Sequence, residues 1–297
     1  MTPSTIPQRV GRLPTRPVLA LVCAFAVALS IGPSAAVASG PPRNQGGPVQ
    51  TAPQIYIDFW GPGWSKDPLN ERQYLTNFVR SINRSSWLEI LGQYGAGWQH
   101  TTYVISWSDT DISHRPGPDP SQDATKAEAT RAAHHFGIRP NHNVEIIIAL
   151  PVGGTCRPYH SWDSDVGVAF VAYPYNGDPF PNHQGECAPG ARTVSHEIAE
   201  TMTDPITEPG HFAWQPEVAD PCDAEASRTV TMPDGQKFLV QAIWSNKANG
   251  GPRRVRLFRL NSRTSRGNHF PAITGCTATN GQMSIRRERS PQFNTTR

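Results

Sequence analysis

VSHEIAETMTDP occupies residues 194–205. Its HEIAE centre is one residue short of HExxH, the pattern in which two histidines one helical turn apart hold zinc. Glu200 stands where the second histidine would. In an α-helix, positions i and i+4 share a face, so His196 and Glu200 can hold one ion between them. Glu197 is rotated from His196 by about 100° and can reach an ion's water from the side. Zinc accepts carboxylate oxygen as well as imidazole nitrogen. Three ligands and an open position make a catalytic site, in which the ion lowers the pKa of water towards about 7 and Glu197 takes the proton as general base. A set this rich in carboxylates also suits manganese, iron or calcium.

The helix has to stop near Thr203. Asp204 precedes Pro205, and proline pushes the residue before it out of the α region. The third ligand therefore comes from outside the helix. EVADPCD (217–223) is the best stretch, offering Glu217 or Asp220. Asp204 and His211 are weaker choices, since Asp204 lies too far around the helix unless it unwinds there. In CRPYH (156–160), Tyr159 and His160 are candidates to stabilise an oxyanion, or else simply loop residues packed beside Cys156.

Upstream of the helix, apolar periodicity alternates between period 2 and period 3.6. QIYIDFW (54–60) reads as a strand, residues 70–82 as an amphipathic helix, and residues 86–94 as a second, short helix. TTYVISW (101–107) is a strand, SHRPGPDP (113–120) a loop, and residues 121–137 a helix ending at Gly137. NVEIIIALP (143–151) is apolar enough for a strand buried on both faces, and residues 165–175 form another strand. The series describes one α/β domain with a loop-rich C-terminal part, preceded by a Pro- and Gly-rich flexible leader at 39–53. Trp60, Trp64, Trp87, Trp98 and Trp107 crowd its N-terminal half and are expected in the core rather than on a sugar-binding face. No Gly-rich phosphate loop and no G-x-S-x-G elbow occurs.

The 297-residue chain opens with a basic stretch, Arg9, Arg12 and Arg16, then an apolar run at 17–32 and the small-residue triplet Ala36, Val37 and Ala38. This is the pattern of a secretory signal of about 38 residues, so an exported protein with no membrane span in its mature part is expected. Export brings disulfides into play. Of the three pairings open to Cys156, Cys187, Cys222 and Cys276, the sequence-local one, Cys156–Cys187 and Cys222–Cys276, is expected. Beyond the signal the formal charge is zero, but unevenly spread. Residues 252–297 hold ten arginines against one acid, Glu288. Such a tail, basic to residue 297, either holds an anionic polymer or is a solvated arm pairing with the acidic body.

The order of strands and helices before HEIAE resembles the zincin metallopeptidases. In that family the strand preceding the active helix is an edge strand that binds extended substrate antiparallel. The resemblance implies that role for AFVAYPY, with Ala169 and Tyr175 at its ends. The chain also resembles exported proteins of the EXORDIUM and phosphate-induced type. The stretches that carry this likeness are IYIDFWG (55–61), CRPYH, the Cys187 loop, HEIAETMTDP, EVADPC and VQAIWSN (240–246), within residues 54–280. Plant members often lack the intact metal helix and are regarded as cell-wall growth proteins. The expectation is a secreted, monomeric zinc peptidase with a peptide or protein substrate. Its ligands would be His196, Glu200 and either Glu217 or Asp220, and its base Glu197. The alternative is a non-catalytic extracellular or wall-associated protein that keeps the helix for a structural ion.

Overall fold

The computed structural model describes residues 40–151, 158–174, 191–223, 227–248 and 276–277. In chain order the elements are β1 (Arg43–Asn44), β2 (Gln54–Trp60), α1 (Glu71–Ser81), β3 (Thr102–Asp109), α2 (Gln122–Phe136), β4 (Val144–Leu150), β5 (Tyr159–Asp163) and β6 (Val168–Pro174). They continue with α3 (Ala191–Thr203), β7 (Trp214–Gln215), β8 (Arg228–Thr231), β9 (Lys237–Val240), β10 (Ile243–Trp244) and β11 (Cys276–Thr277). Residues 86–94, read as a short helix, form a 3-10 helix over Leu88–Tyr94. The loop expected at 113–120 is overlapped by a 3-10 turn, Ile112–His114.

Five strands form the main sheet in the order β3-β2-β4-β6-β5. Four run parallel, and β5 runs antiparallel to β6 at one edge. Because strand side chains alternate, each strand feeds two cores. Ile55, Ile57, Phe59, Ile147, Ala149, Val171 and Tyr173 face α1, α3 and the hairpin β8–β9. Trp60, Ile146, Ile148, Val168 and Phe170 face α2. β4 is buried along its whole length, as its apolar run predicts. Ser121 caps α2 by accepting the Ala124 N–H at 3.2 Å, and Gly137 closes the helix at φ 66°.

Three expectations need correction. AFVAYPY is not an edge strand: β6 lies between β4 and β5, and the edge is β5. Residues 159–160, read as part of a loop, belong to that edge strand. The leader at 39–53 is not a loose linker over its described part. β1 pairs antiparallel with β7, and the Gly47 and Gln50 N–H groups donate to Phe212 O and Met202 O at 3.0 and 2.9 Å. Gly47 is what permits this, since a Cβ there would stand 2.0 Å from His211 O. The docked segment therefore braces the C-terminal end of α3. Among the described residues no helix is long and apolar enough to cross a membrane.

The signal segment, Cys156, Cys187 and nearly all of the arginine tail lie outside the described residues. Cys222 is buried, and the backbone of Cys276 pairs with Trp244.

The α2 face also buries acids. Asp58 on β2 and Glu128 on α2 are both 0% exposed, with Asp109 beside them. Burial, then the Glu128 and Asp109 carboxyls, push Asp58 up to about 9. A buried acid with a raised pKa contributes stability that is full below its ordinary value of 3.8 and gone above about 9. The thermal midpoint of the wild-type protein should therefore fall as pH rises from neutral through about 9, and Asp58→Asn should flatten that fall. Parallel melting curves for the two proteins across this range provide the check.

Candidate metal centre

α3 exists because ARTVSHEIAETMT buries one apolar face. Val194, Ile198, Ala199 and Met202 are all 0% exposed and pack on the sheet and hairpin. The helix ends at Thr203, as the Asp204–Pro205 step requires. Asp204 turns inward instead, accepting the Ala213 N–H at 2.7 Å and the Gln215 amide at 3.1 Å. Burial raises it to about 6, but its oxygens are committed to the chain leaving the helix and not to the site. His211 is exposed on that same connection.

The face of α3 nearest β5 carries His196, Glu197 and Glu200. From β5 comes His160, and from the segment after α3 come Glu217 and Asp220. The six side chains line one cavity of about 290 Å³. His196 Nε2 lies 3.1 Å from Glu200 Oε1 and 3.8 Å from Asp220 Oδ1. His160 Nδ1 lies 3.5 Å from both Glu197 Oε2 and Glu200 Oε2. Its Nε2 lies 3.4 Å from Glu217 Oε1. Of the two downstream acids proposed as third ligand, Asp220 stands with His196 and Glu200, while Glu217 stands beside His160.

Tyr159 borders the same cavity, but its ring turns to the other face of the sheet. Neighbouring strand residues point to opposite faces, so once 159–160 is a strand only one of the pair can face α3. That one is His160. The Tyr159 ring packs on the α2 side, edge-on to Phe170 at 6.2 Å, with its hydroxyl towards Thr125. His160, placed among the acids, offers the stronger contribution of the two. No local spacing announces it, because it reaches α3 only through sheet pairing.

Glu145 is a further site neighbour that periodicity conceals. It is the lone acid in the apolar β4, fully buried, with neither carboxyl oxygen hydrogen-bonded. Burial raises its pKa well above the ordinary value, opposed by His160 and reinforced by Glu197. An acid inside an otherwise apolar strand is the signal that could have flagged it.

Charge at the cavity is strongly coupled. Burial alone would lower both histidines. Against that, the Glu197, Glu200 and Glu217 carboxylates around it raise His160 well above its ordinary value. Glu200, Glu197 and Asp220 raise His196 to about 10. Burial raises Glu197, and burial with Glu200 raises Asp220 to about 7. Glu200 goes the other way: burial would raise it, but the two histidines hold it down at about 2.

The donor set fits a divalent ion. Glu200 Oε1 and His160 Nε2 are buried and make no hydrogen bond, so each carries lone-pair or N–H capacity aimed into a group of opposite charge. Imidazole nitrogen with carboxylate oxygen is a zinc-type set, and the abundance of carboxylates extends it to manganese or iron. No family model matches the chain, and neither a curated protein nor a solved structure matches it.

Proposed function

We propose that this chain is a secreted, metal-dependent hydrolase built on a zincin-like core, with peptides as its substrates. The observation that carries the reading is that two separate segments, α3 and residues 217–220, bring His196, Glu200 and Asp220 to one side of a solvent-reaching cavity, with Glu197 beside them and His160 of β5 facing them. His196, Glu200 and Asp220 would hold the ion, zinc being the best fit. When bound, such an ion acts as a Lewis acid and brings the pKa of water to about 7.

Each remaining role falls to a residue of this chain. Glu197 accepts the proton from the attacking water at its carboxylate and passes it to the leaving amine. His160, donating from its ring towards the acids, supplies positive charge beside the place where negative charge develops on the substrate. Asp220, with 51% of its side chain exposed, stands at the cavity mouth, so this ligand set is not sealed as a structural zinc site is.

Substrate would dock on β5 rather than on β6. Among the described residues no strand pairs with the outer edge of β5. The Trp162 N–H already donates to Thr207 Oγ1 at 3.3 Å. Backbone groups alternate along a strand, so the free outward pair nearest the cavity is that of His160. An extended peptide paired there would lay its main chain across α3, which is the β-augmentation mode of recognition. A Cys222–Cys276 disulfide would hold the Asp220 segment against the body of the protein.

The test is a peptide-library digest by the zinc-loaded protein. Cleavage that disappears on dialysis against a chelator and returns with zinc is the expected result. A zinc-loaded, folded protein that cuts nothing would overturn the reading and leave a structural ion.

A further inference from the structure

The two histidines of the cavity belong to different ligand groups. One group is His160, Glu197 and Glu200; the other is His196, Glu200 and Asp220. Glu200 is common to both and divides its oxygens between them. Its Oε1 lies 3.1 Å from His196 Nε2, and its Oε2 lies 3.5 Å from His160 Nδ1. We propose that the cavity holds two divalent ions bridged by the Glu200 carboxylate, one with His196 and Asp220 and the other with His160 and Glu197. The proposal rests on the metal-dependent reading above; it adds a second ion and makes that ion, rather than a protonated His160, the positive charge beside the substrate.

Around His160 the distances support this over a hydrogen-bonded cluster, while the 3.1 Å from His196 Nε2 to Glu200 Oε1 suits either. An N–H···O hydrogen bond spans about 2.7–3.2 Å. Two ligands of one tetrahedral ion, each about 2.0–2.1 Å from it, stand about 3.3 Å from each other. His160 Nδ1 sits 3.5 Å from both Glu197 Oε2 and Glu200 Oε2, which is co-ligand spacing on both sides. Its other nitrogen faces Glu217 Oε1 at 3.4 Å. A carboxylate behind the second nitrogen is the usual partner that orients a ligating imidazole. Glu217 thus acquires a positioning role through His160.

Charge leads to the same arrangement. Five carboxylates line the cavity; Asp223 stands 3.9 Å from the Arg192 guanidinium, which leaves Glu197, Glu200, Glu217 and Asp220 to be balanced. The Glu197 and Glu200 side chains are only 5% and 3% exposed. Buried charge is tolerated when it is paired or bound to metal. One dication balances two of these carboxylates, and two dications balance all four. Ions about 3.5–4 Å apart are the spacing found in two-metal hydrolytic sites. If Glu197 binds through Oε2 alone, its Oε1 remains able to take a proton, so its role as base survives.

Zinc stoichiometry decides the matter without reference to activity. The full chain is loaded with zinc, freed of excess by gel filtration and measured by elemental mass spectrometry, with circular dichroism to confirm folding. Wild type should carry two zinc ions per chain, His160→Ala one, His196→Ala one, and Glu200→Ala none. If Glu200→Ala fails to fold, wild type and the two histidine variants carry the test. One zinc in wild type overturns the bridged pair and leaves the hydrolase reading standing. None overturns both. Two ions that both persist in His160→Ala place the second elsewhere on the surface and overturn the proposal.

Discussion

Glu197→Gln should lower peptide hydrolysis by about 10²–10⁴-fold, the usual contribution of a positioned general base. The amide keeps the size and most of the packing of the carboxylate, so α3 and the ligands on its neighbouring turns should stay in place. What it loses is the ability to accept a proton. Glu197 is 4% exposed and opens only into the cavity, so no bulk solvent group can replace it there. The ion held by His196, Glu200 and Asp220 should remain. Turnover of wild type and variant at equal zinc loading is the measurement. Equal rates would remove Glu197 from the chemistry and leave the proton to another carboxylate of the cavity.

Trp87→Ala should cost about 3–5 kcal/mol of stability, the range for deleting a large buried aromatic side chain. Trp87 is 0% exposed and packs against Phe78, with ring centroids 6.3 Å apart. The loss is more than a cavity. The Trp87 indole N–H donates to Gln241 O at 3.1 Å, which leaves a buried carbonyl unpaired in the variant. Gln241 in turn holds the site together. Its N–H donates to Ser195 Oγ on α3 at 3.0 Å, and its side-chain amide donates to Ala219 O at 3.1 Å, next to Asp220. Removing the indole should therefore also weaken zinc affinity. Denaturant unfolding of the metal-free protein gives the first effect, and zinc titration the second. Trp87→Phe should lose less stability than Trp87→Ala, because it keeps most of the apolar area and drops only the donor. An unchanged unfolding midpoint in Trp87→Ala would contradict this account of the core.

What could be read from the sequence was what local physics decides. β2 runs Gln54–Trp60, as its β-branched and aromatic residues indicate. α2 starts after Ser121 and stops at Gly137 because a hydroxyl cap and a glycine in the left-handed region act within a single turn. α3 stops at Thr203 because the Asp204–Pro205 step allows nothing else. The pairing of His196 with Glu200 follows from helical pitch alone, which makes the centre of the candidate site visible in five letters. One local signal went unused: the Asp234–Gly235 pair between apolar runs marks the β8–β9 hairpin, where only loops were expected.

Tertiary structure decided everything that depends on which strands pair. Within residues 158–174 the apolar VAFVAYP suits a strand buried on both faces better than YHSWD does, but which strand takes the edge is settled only by pairing. Only the pairing of β5 with β6 put Ala169 inside the sheet, turned Tyr159 towards α2 and turned His160 into the acids of α3. The leader, polar and rich in glycine, looks like a linker until the chain after α3 offers the carbonyls its N–H groups require. The choice of Asp220 beside His196, with Glu217 beside His160, depends on a turn of chain whose course is set by the core beneath it. Ligands one helical turn apart are encoded by pitch; ligands joined through a sheet exist only once the strands have found their order.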